Sequence, residues 1–273
     1  MSTITAADIN KLRQATGAGM MDCRKALTES NGEFEAAIDW LRKQGQKVAA
    51  KRSDREAKEG VILAYPIPGN KAGIVLCISC ETDFVSKNAD FVAFAQSIAD
   101  AAIAHNVKSA EELNNVEING AKVSDMINDK LAAIGEKIEI SKFERIEAPF
   151  VATYIHGSNR MGVLVGLTLE AAEAGKDVAM QIAAMNPLAV DESSISPEVI
   201  AREKDIAIEL VKAEGKPAEM AEKIAMGKLN KFFKDNTLMA QAFVKDGNKS
   251  VSEYLKGIDA NLSVTEFKRV ALG

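Results

Sequence analysis

Two cysteines at a redox-type spacing are the first residues whose chemistry draws attention. Cys77-Ile78-Ser79-Cys80 separates two thiols by two residues, as in thiol oxidoreductases. Such pairs act at the start of a helix, where the thiolate is stabilised. Here Cys77 lies within a predicted strand, and the carboxylate of Glu81 directly after Cys80 would raise a thiol pKa. We therefore predict two buried, small apolar side chains and keep a thiol oxidoreductase as the alternative.

The same strand is followed at once by an acid and an aromatic residue, in the sequence Thr82, Asp83, Phe84, Val85. One hypothesis is that Thr82 or Asp83 caps the next helix and Phe84 closes the core. The other is that Phe84 is exposed at the edge of a rigid sheet, where an aromatic side chain can act as an interface wedge. The residues alone leave both hypotheses open.

Two further features could bind or react. His156 lies in a predicted hairpin turn near Arg160, where a surface polar contact is favoured over catalysis. The mixed-charge segment 47–59 could contact RNA, which makes an RNA-binding accessory protein a second alternative. That segment has no interleaved aromatic residues and the chain is acidic overall, so a solvated linker is the preferred interpretation.

Several function classes are disfavoured by missing motifs. The sequence has no phosphate-binding P-loop, so we do not expect it to bind a nucleotide of its own. It has no nucleophile-elbow or His-Glu-x-x-His motif, and His105 and His156 are its only histidines. We therefore expect no catalytic residues, metal or cofactor. With 39 acidic and 34 basic residues, a net charge of −5, we expect no direct nucleic-acid binding.

Composition also predicts the compartment. No apolar run reaches the roughly 18 residues that a membrane span requires, and the first residues lack the apolar segment of a secretory signal. Three cysteines are a small, odd number, which is typical of reduced thiols. We expect a cytoplasmic protein that makes no membrane contact.

The elements that position these residues begin with a helical module over residues 1–45. Thr5 is a predicted N-cap, and residues 16–19 interrupt the first helix. A second helix is predicted over about 20–30 and a third over about 33–44. We expect the third helix to extend into a charged linker over residues 46–60.

A hairpin followed by a helix then occurs twice, about 90 residues apart. Strands over 61–65 and 73–78 lead to a helix at about 88–104. Strands over 150–155 and 162–167 lead to a helix at about 175–186. A helix near 123–134 and a strand at 138–140 lie between the repeats. This duplication predicts an α+β fold with two related subdomains that contain antiparallel sheets: 61–140, and 141–195 with 236–273.

Residues 196–235 predict a helical hairpin inserted into the second subdomain. Val199, Ile206, Leu210 and Ala213 fall close to the heptad spacing of a coiled coil. A Gly-Lys-Pro sequence at 215–217 separates the two helices. A helix at about 250–257 and a strand at 262–270 end the chain.

Two long segments resemble the signatures of the elongation factor Ts family. Residues 12–27, LRQATGAGMMDCRKAL, are similar to its first signature, and residues 79–88, SCETDFVSKN, are similar to its second. Their order and separation also match, and the likeness continues through 154–157 and the 196–235 hairpin. Members usually carry Glu and Asn where this chain has Cys77 and Ser79, which weakens the redox hypothesis further.

The resemblance implies a guanine nucleotide exchange factor whose partner is elongation factor Tu. It implies that the amino-terminal module is a three-helix, ubiquitin-associated-like (UBA-like) fold that grips the partner. It implies that residues 82–85 disturb the partner's Mg²⁺ and phosphate region, with Phe84 as the wedge and Asp83 holding a displaced segment. The further partner-binding residues that it implies are Arg13, Gly17, Gly19, Met20, Met21, Asp22, Cys23 and Lys25 in the module, and Ile134, Gly135, His156 and Gly157 in the core.

Overall fold

Helices and strands follow one another along the chain largely as the sequence predicts. A computed structural model describes residues 4–52, 54–213 and 218–273. The helices are α1 (Ala6–Thr16), α2 (Met20–Glu29), α3 (Phe34–Arg52), α4 (Asp83–Ser86), α5 (Ala89–Ala104), α6 (Ala110–Asn115), α7 (Val123–Ile134), α8 (Ala172–Met185), α9 (Pro197–Ala213), α10 (Ala218–Asn236) and α11 (Val251–Ile258). The strands are β1 (Glu59–Pro66), β2 (Ala72–Cys80), β3 (Glu117–Ile118), β4 (Ala121–Lys122), β5 (Glu139–Glu147), β6 (Phe150–His156), β7 (Met161–Leu167), β8 (Ala242–Phe243), β9 (Asp246–Ser250) and β10 (Val264–Ala271).

Helices α1, α2 and α3 form the amino-terminal module. The Thr5 side chain accepts a hydrogen bond from the Asp8 N–H, which confirms the predicted N-cap of α1. Helix α3 continues to Arg52, so the predicted extension beyond residue 44 is confirmed. The buried side chains that hold the module together are Leu12, Ala18, Cys23, Ala26, Leu27, Ala37 and Leu41.

Two three-stranded antiparallel sheets form the core. The first has the order β1-β2-β5 and the second β10-β7-β6. Buried side chains of both sheets meet between them, including Ile62 and Val75 from the first and Val151 and Leu164 from the second. Helix α5 contributes to the apolar core on the other face of the first sheet, and α8 does so for the second. The predicted α+β fold is confirmed, and β2 is buried along its whole length because both of its faces are covered.

The third strand of the first sheet is longer than the sequence predicts. The strand predicted at 138–140 runs from Glu139 to Glu147 and pairs with β2 as far as Ala72 opposite Glu147. The predicted subdomain boundary at residue 141 therefore falls inside a strand of the first sheet. The apolar pattern does not predict the full length of this strand, because β5 is partly exposed and has charged residues between its apolar ones instead of an apolar run.

The 196–235 hairpin consists of α9 and α10, and Val199 packs at their contact as predicted, but further along α9 the buried positions are displaced by one residue. Ile206 and Leu210 are exposed, whereas Ala207 and Val211 are buried. Small side chains allow two helices to approach closely, which places Ala207 rather than the bulkier Ile206 at the contact. The predicted break at 215–217 lies outside the described residues.

Candidate functional site

Phe84 projects from the surface on the one-turn helix α4, directly after the central strand of the first sheet. Its side chain is 86% exposed, whereas the neighbouring Val85 is partly buried and packs against the core beneath α5. The hypothesis that Phe84 closes the core is therefore wrong. The helix after it is capped by neither Thr82 nor Asp83 but by Asn88, whose side chain accepts from the N–H groups at the start of α5.

A carboxylate from a distant part of the chain holds the amino-terminal end of α4. Glu136 Oε2 accepts hydrogen bonds from the backbone N–H groups of Glu81 (3.1 Å) and Thr82 (3.0 Å). Glu136 Oε1 accepts a third from the Thr82 hydroxyl (2.6 Å). Because Glu136 directly follows Ile134 and Gly135, these hydrogen bonds join two segments that the sequence predicted separately.

Glu81 makes the reciprocal contact and ties the site to α3. Its carboxylate accepts from the Lys137 backbone N–H at 2.6 Å and from the guanidinium groups of Arg52 and Arg55, each at 2.9 Å. Desolvation alone would raise the pKa of Glu81, but these hydrogen bonds outweigh it and lower the pKa to about 2. The charged linker is therefore anchored to the core here rather than simply solvated.

We expect Glu81→Gln to destabilise the fold in a pH-dependent way. A pKa lowered on folding stabilises the native state above about pH 4.5, and that stabilisation is lost as the pH falls toward 2. At neutral pH the variant should lose about 1–3 kcal/mol of unfolding free energy. Urea unfolding of both proteins at several pH values measures the difference. It should shrink as the pH falls below 4.5, and a pH-independent difference would contradict this account.

Asp83 is a solvent-facing carboxylate beside the exposed aromatic ring. Lys87 Nζ lies 2.6 Å from Asp83 Oδ2, one turn further along the chain. The hydrogen bond from Lys87, followed by the charge of that ammonium group, lowers the pKa of Asp83. Asp83 is thus an ionised group next to Phe84, held by one exposed partner.

Ile134 and Gly135 form the carboxyl end of α7. Gly135 has a φ of 78°, the left-handed conformation that ends helices, and its N–H bonds to the Leu131 carbonyl. Ile134 is 37% exposed despite being a large apolar residue.

A cleft of about 880 Å³ lies between the amino-terminal module and helices α4, α5 and α7; we call it the interdomain cleft. It brings predicted site residues of the module into one concave surface with those of the core. The lining includes Gly17, Asp22, Lys25 and Trp40 on the module side, and Phe84, Val85, Phe94, Lys130 and Ile134 on the core side. A concave surface that combines apolar side chains with charged groups is typical of a binding cleft.

The packing of α3 on α7 sets the separation of the two walls. A Cβ atom on Gly45 would lie 2.9 Å from Ala132 Cβ and 3.3 Å from the Asn128 carbonyl oxygen. Arg42 Nε lies 3.8 Å from Asp129 Oδ2 along the same contact. The absence of a side chain at residue 45 is what allows the helices to approach this closely.

The remaining module residues divide into surface and core. Met20 and Met21 are 54% and 72% exposed at the start of α2. Cys23 is completely buried, and its thiol donates to the Ala18 carbonyl at 3.6 Å, so the prediction that it contacts a partner needs correction. The predicted site residues that lie on the module surface are Arg13, Gly17, Gly19, Met20, Met21, Asp22 and Lys25.

His156 and Gly157 lie apart from the interdomain cleft, in the β6–β7 turn. Both are exposed, and His156 Nδ1 is 3.0 Å from the Tyr154 hydroxyl. Asn159 fixes the turn to β1, since its side chain donates to the Ile62 carbonyl at 3.0 Å. The turn is therefore a second exposed, well-anchored surface.

The two cysteines of the redox-type motif lie on opposite faces of the first sheet. Cys77 contributes to the core between the sheets, and Cys80 to the core beneath α5. Burial, and secondarily the Glu136 carboxylate, raises the pKa of Cys80 to about 12. Neither thiol is an accessible nucleophile, so the thiol oxidoreductase hypothesis is contradicted.

We expect the thiols of the native protein to resist alkylation. Cys23, Cys77 and Cys80 are all buried, and modification requires an accessible thiolate. Their reaction with a thiol reagent should be at least about a hundredfold slower in the native protein than in denaturant, because it requires opening of the fold. A cysteine that reacts at the same rate in both states would revive the redox hypothesis.

Three basic groups of the segment 47–59, on which the RNA hypothesis depends, are held by carboxylates. Arg52 and Arg55 are bound to Glu81, and Lys58 Nζ lies 2.6 Å from Glu56 Oε2. These cations would have to leave their carboxylate partners before they could replace the counterions of a phosphate backbone. The segment therefore serves as an anchor in this structure.

Two other features are absent from residues 4–52, 54–213 and 218–273. Among these, no helix is long and apolar enough to cross a membrane. The described side chains include no cluster of three or more His, Cys, Asp or Glu arranged to hold a metal ion.

Comparison with known proteins identifies the family. The sequence profile described as Elongation factor TS matches residues 81–273. The chain is 50% identical to Elongation factor Ts of Christiangramia forsetii and 51% identical to that of Flavobacterium psychrophilum, in each case over 100% of both chains. It is 47% identical to Elongation factor Ts of Cytophaga hutchinsonii, again over the full length of both. The chain therefore belongs to the elongation factor Ts family.

Proposed function

We propose that this protein is a guanine nucleotide exchange factor that binds elongation factor Tu with GDP and promotes GDP release, so that GTP can bind during translation elongation. The observation that carries the proposal is the exposed ring of Phe84 on a turn held by Glu136. Family membership supports the choice of partner. The proposed activity requires no covalent step, because it changes only which conformation of the partner is populated.

Residues 82–85 are the proposed exchange element. GDP is held in GTPases largely by Mg²⁺ and by donors around the β-phosphate. Insertion of Phe84 near that region would favour partner conformations with room for the ring, and burying a ring of this size is worth about 1.5–3 kcal/mol. The ionised Asp83 beside it is placed to receive a donor displaced from the partner. Conformations stabilised in this way bind Mg²⁺ and GDP weakly.

The other exposed surfaces are proposed to hold the partner in place. The interdomain cleft, with Met20 and Met21 near its module side, offers apolar area for an element of the partner's GTPase domain. The turn with His156 and Gly157 would contact a different domain of the partner. Contacts at two separated surfaces fix the orientation in which Phe84 approaches.

Binding measured in two nucleotide states tests the proposal. Linkage requires that nucleotide and exchange factor weaken each other's binding by the same factor. The protein should bind nucleotide-free elongation factor Tu at least about tenfold more tightly than the same partner saturated with GDP and Mg²⁺. Calorimetry with both forms measures the ratio. Equal affinities would exclude exchange by this route, and no binding to either form would exclude the partner.

A further inference from the structure

The helix that carries Phe84 lacks a cap of its own. Helix α4 spans only Asp83–Ser86, and isolated helices of this length are unstable in water. Thr82 stands at its N-cap position, but its side chain makes no capping hydrogen bond to the helix. Something outside this turn must therefore hold its backbone.

Glu136 supplies that support from 54 residues away. Its two carboxylate oxygens bind two backbone N–H groups and one hydroxyl at residues 81 and 82. Charge-assisted hydrogen bonds of this kind are stronger than neutral ones. The same three bonds fix the loop that follows Ile134, so Phe84 and Ile134, both on the core side of the cleft, belong to one bonded unit.

Glu81 adds a second set of hydrogen bonds to this unit. It accepts from the Lys137 N–H, from Arg52 at the end of α3 and from Arg55 three residues after it. The Lys137 ammonium group in turn donates to the Arg55 carbonyl at 3.2 Å. The module's last helix, the exchange element and the α7–β5 loop are thus connected by hydrogen bonds through two carboxylates.

We propose that Glu136 is a positioning residue for nucleotide exchange, with Glu81 as its counterpart. It holds Phe84 and Ile134 in the orientation in which they contact the partner. The two side chains are therefore ordered when the protein folds, and binding does not have to order them. The inference rests on the proposed exchange function. It assigns Glu136 no contact with the partner.

The first test compares Glu136→Ala with Glu136→Gln in release of fluorescent GDP from elongation factor Tu. The alanine variant should slow the rate at saturation about tenfold, since sub-ångström misplacement of an acting group is costly. Glutamine keeps an oxygen for the two N–H groups, and its amide can donate to the Thr82 hydroxyl, so the rate should return to within about threefold of wild type. The control is Glu147→Ala, which removes an exposed carboxylate that pairs with Arg145 at the other end of β5 and should leave the rate unchanged.

A double-mutant cycle separates positioning from a general structural effect. Because Glu136 holds both Phe84 and Ile134, Glu136→Ala should slow exchange about tenfold in the wild-type background and by a clearly smaller factor in the Phe84→Ala background. Amide hydrogen exchange at residues 81 and 82 of the free protein should rise at least about tenfold in Glu136→Ala and stay unchanged in Glu147→Ala. Should Glu136→Ala fail to fold, Thr82→Val removes only the hydroxyl donor and should slow exchange about two- to threefold.

The outcomes separate the two proposals. An inactive wild-type protein would overturn the exchange function and this inference with it. An active wild type with Glu136→Ala equally fast, or with equal slowing in both Phe84 backgrounds, would overturn only the positioning role.

Discussion

Phe84→Ala is expected to slow GDP release from elongation factor Tu at least about tenfold while leaving the fold intact. The ring is 86% exposed, so its removal opens no cavity. Surface substitutions of this kind usually change stability by less than about 0.5 kcal/mol, which keeps the melting temperature within ~2 °C. Stopped-flow release of fluorescent GDP and thermal melting measure the two effects.

The matched control is the same substitution at a buried ring nearby. Phe91 is 1% exposed in helix α5, and Phe91→Ala should cost about 3–5 kcal/mol of unfolding free energy. Comparison of the two variants distinguishes the loss of a contact with the partner from the loss of core packing. A large drop in melting temperature for Phe84→Ala, or normal exchange by that variant, would contradict the proposed role of Phe84.

Gly45→Leu is expected to weaken partner binding because it increases the separation of the two walls of the interdomain cleft. A Cβ at residue 45 would lie 2.9 Å from Ala132 Cβ and 3.3 Å from the Asn128 carbonyl oxygen, too close for both helices to keep their positions. Helix α3 must therefore move away from α7, and the module moves with it. We expect the concentration of the protein giving half-maximal exchange to rise about tenfold, with a smaller change in the rate at saturation.

Gly227→Leu is the control for this variant. Gly227 also lies in a helix, α10, but a Cβ there meets nothing within 4 Å. The substitution should raise helix stability by up to about 1 kcal/mol and leave exchange unchanged. If Gly45→Leu left the half-maximal concentration unchanged, the separation of the cleft walls would not govern binding.

The layered core could be predicted because its signals are local. The short apolar runs of the four long hairpin strands and the glycines of their turns specify the duplication directly. Residues 123–134 are likewise predicted as a helix by their 3.6-residue period. The full length of strand β5 could not be predicted, because charged residues interrupt its apolar pattern. Its extent is set by pairing with β2.

The candidate site was only partly predictable. Signature residues such as Phe84 could be singled out, but the choice between core and surface could not be made from neighbours in sequence. That choice depends on Glu136, which lies more than 50 residues further along the chain. The sequence predicts that Arg52 and Arg55 belong to a solvated linker, because their partner Glu81 lies more than 25 residues further along the chain. Cys23 lies within a surface signature, yet its side chain falls on the inner face of α2.

Release of fluorescent GDP from elongation factor Tu of the same organism, with and without this protein at physiological Mg²⁺, tests the central claim most directly. The account predicts that the release rate rises with protein concentration to a plateau at least about tenfold above the spontaneous rate. An unchanged release rate, with the protein folded and the partner able to bind GDP, would contradict it.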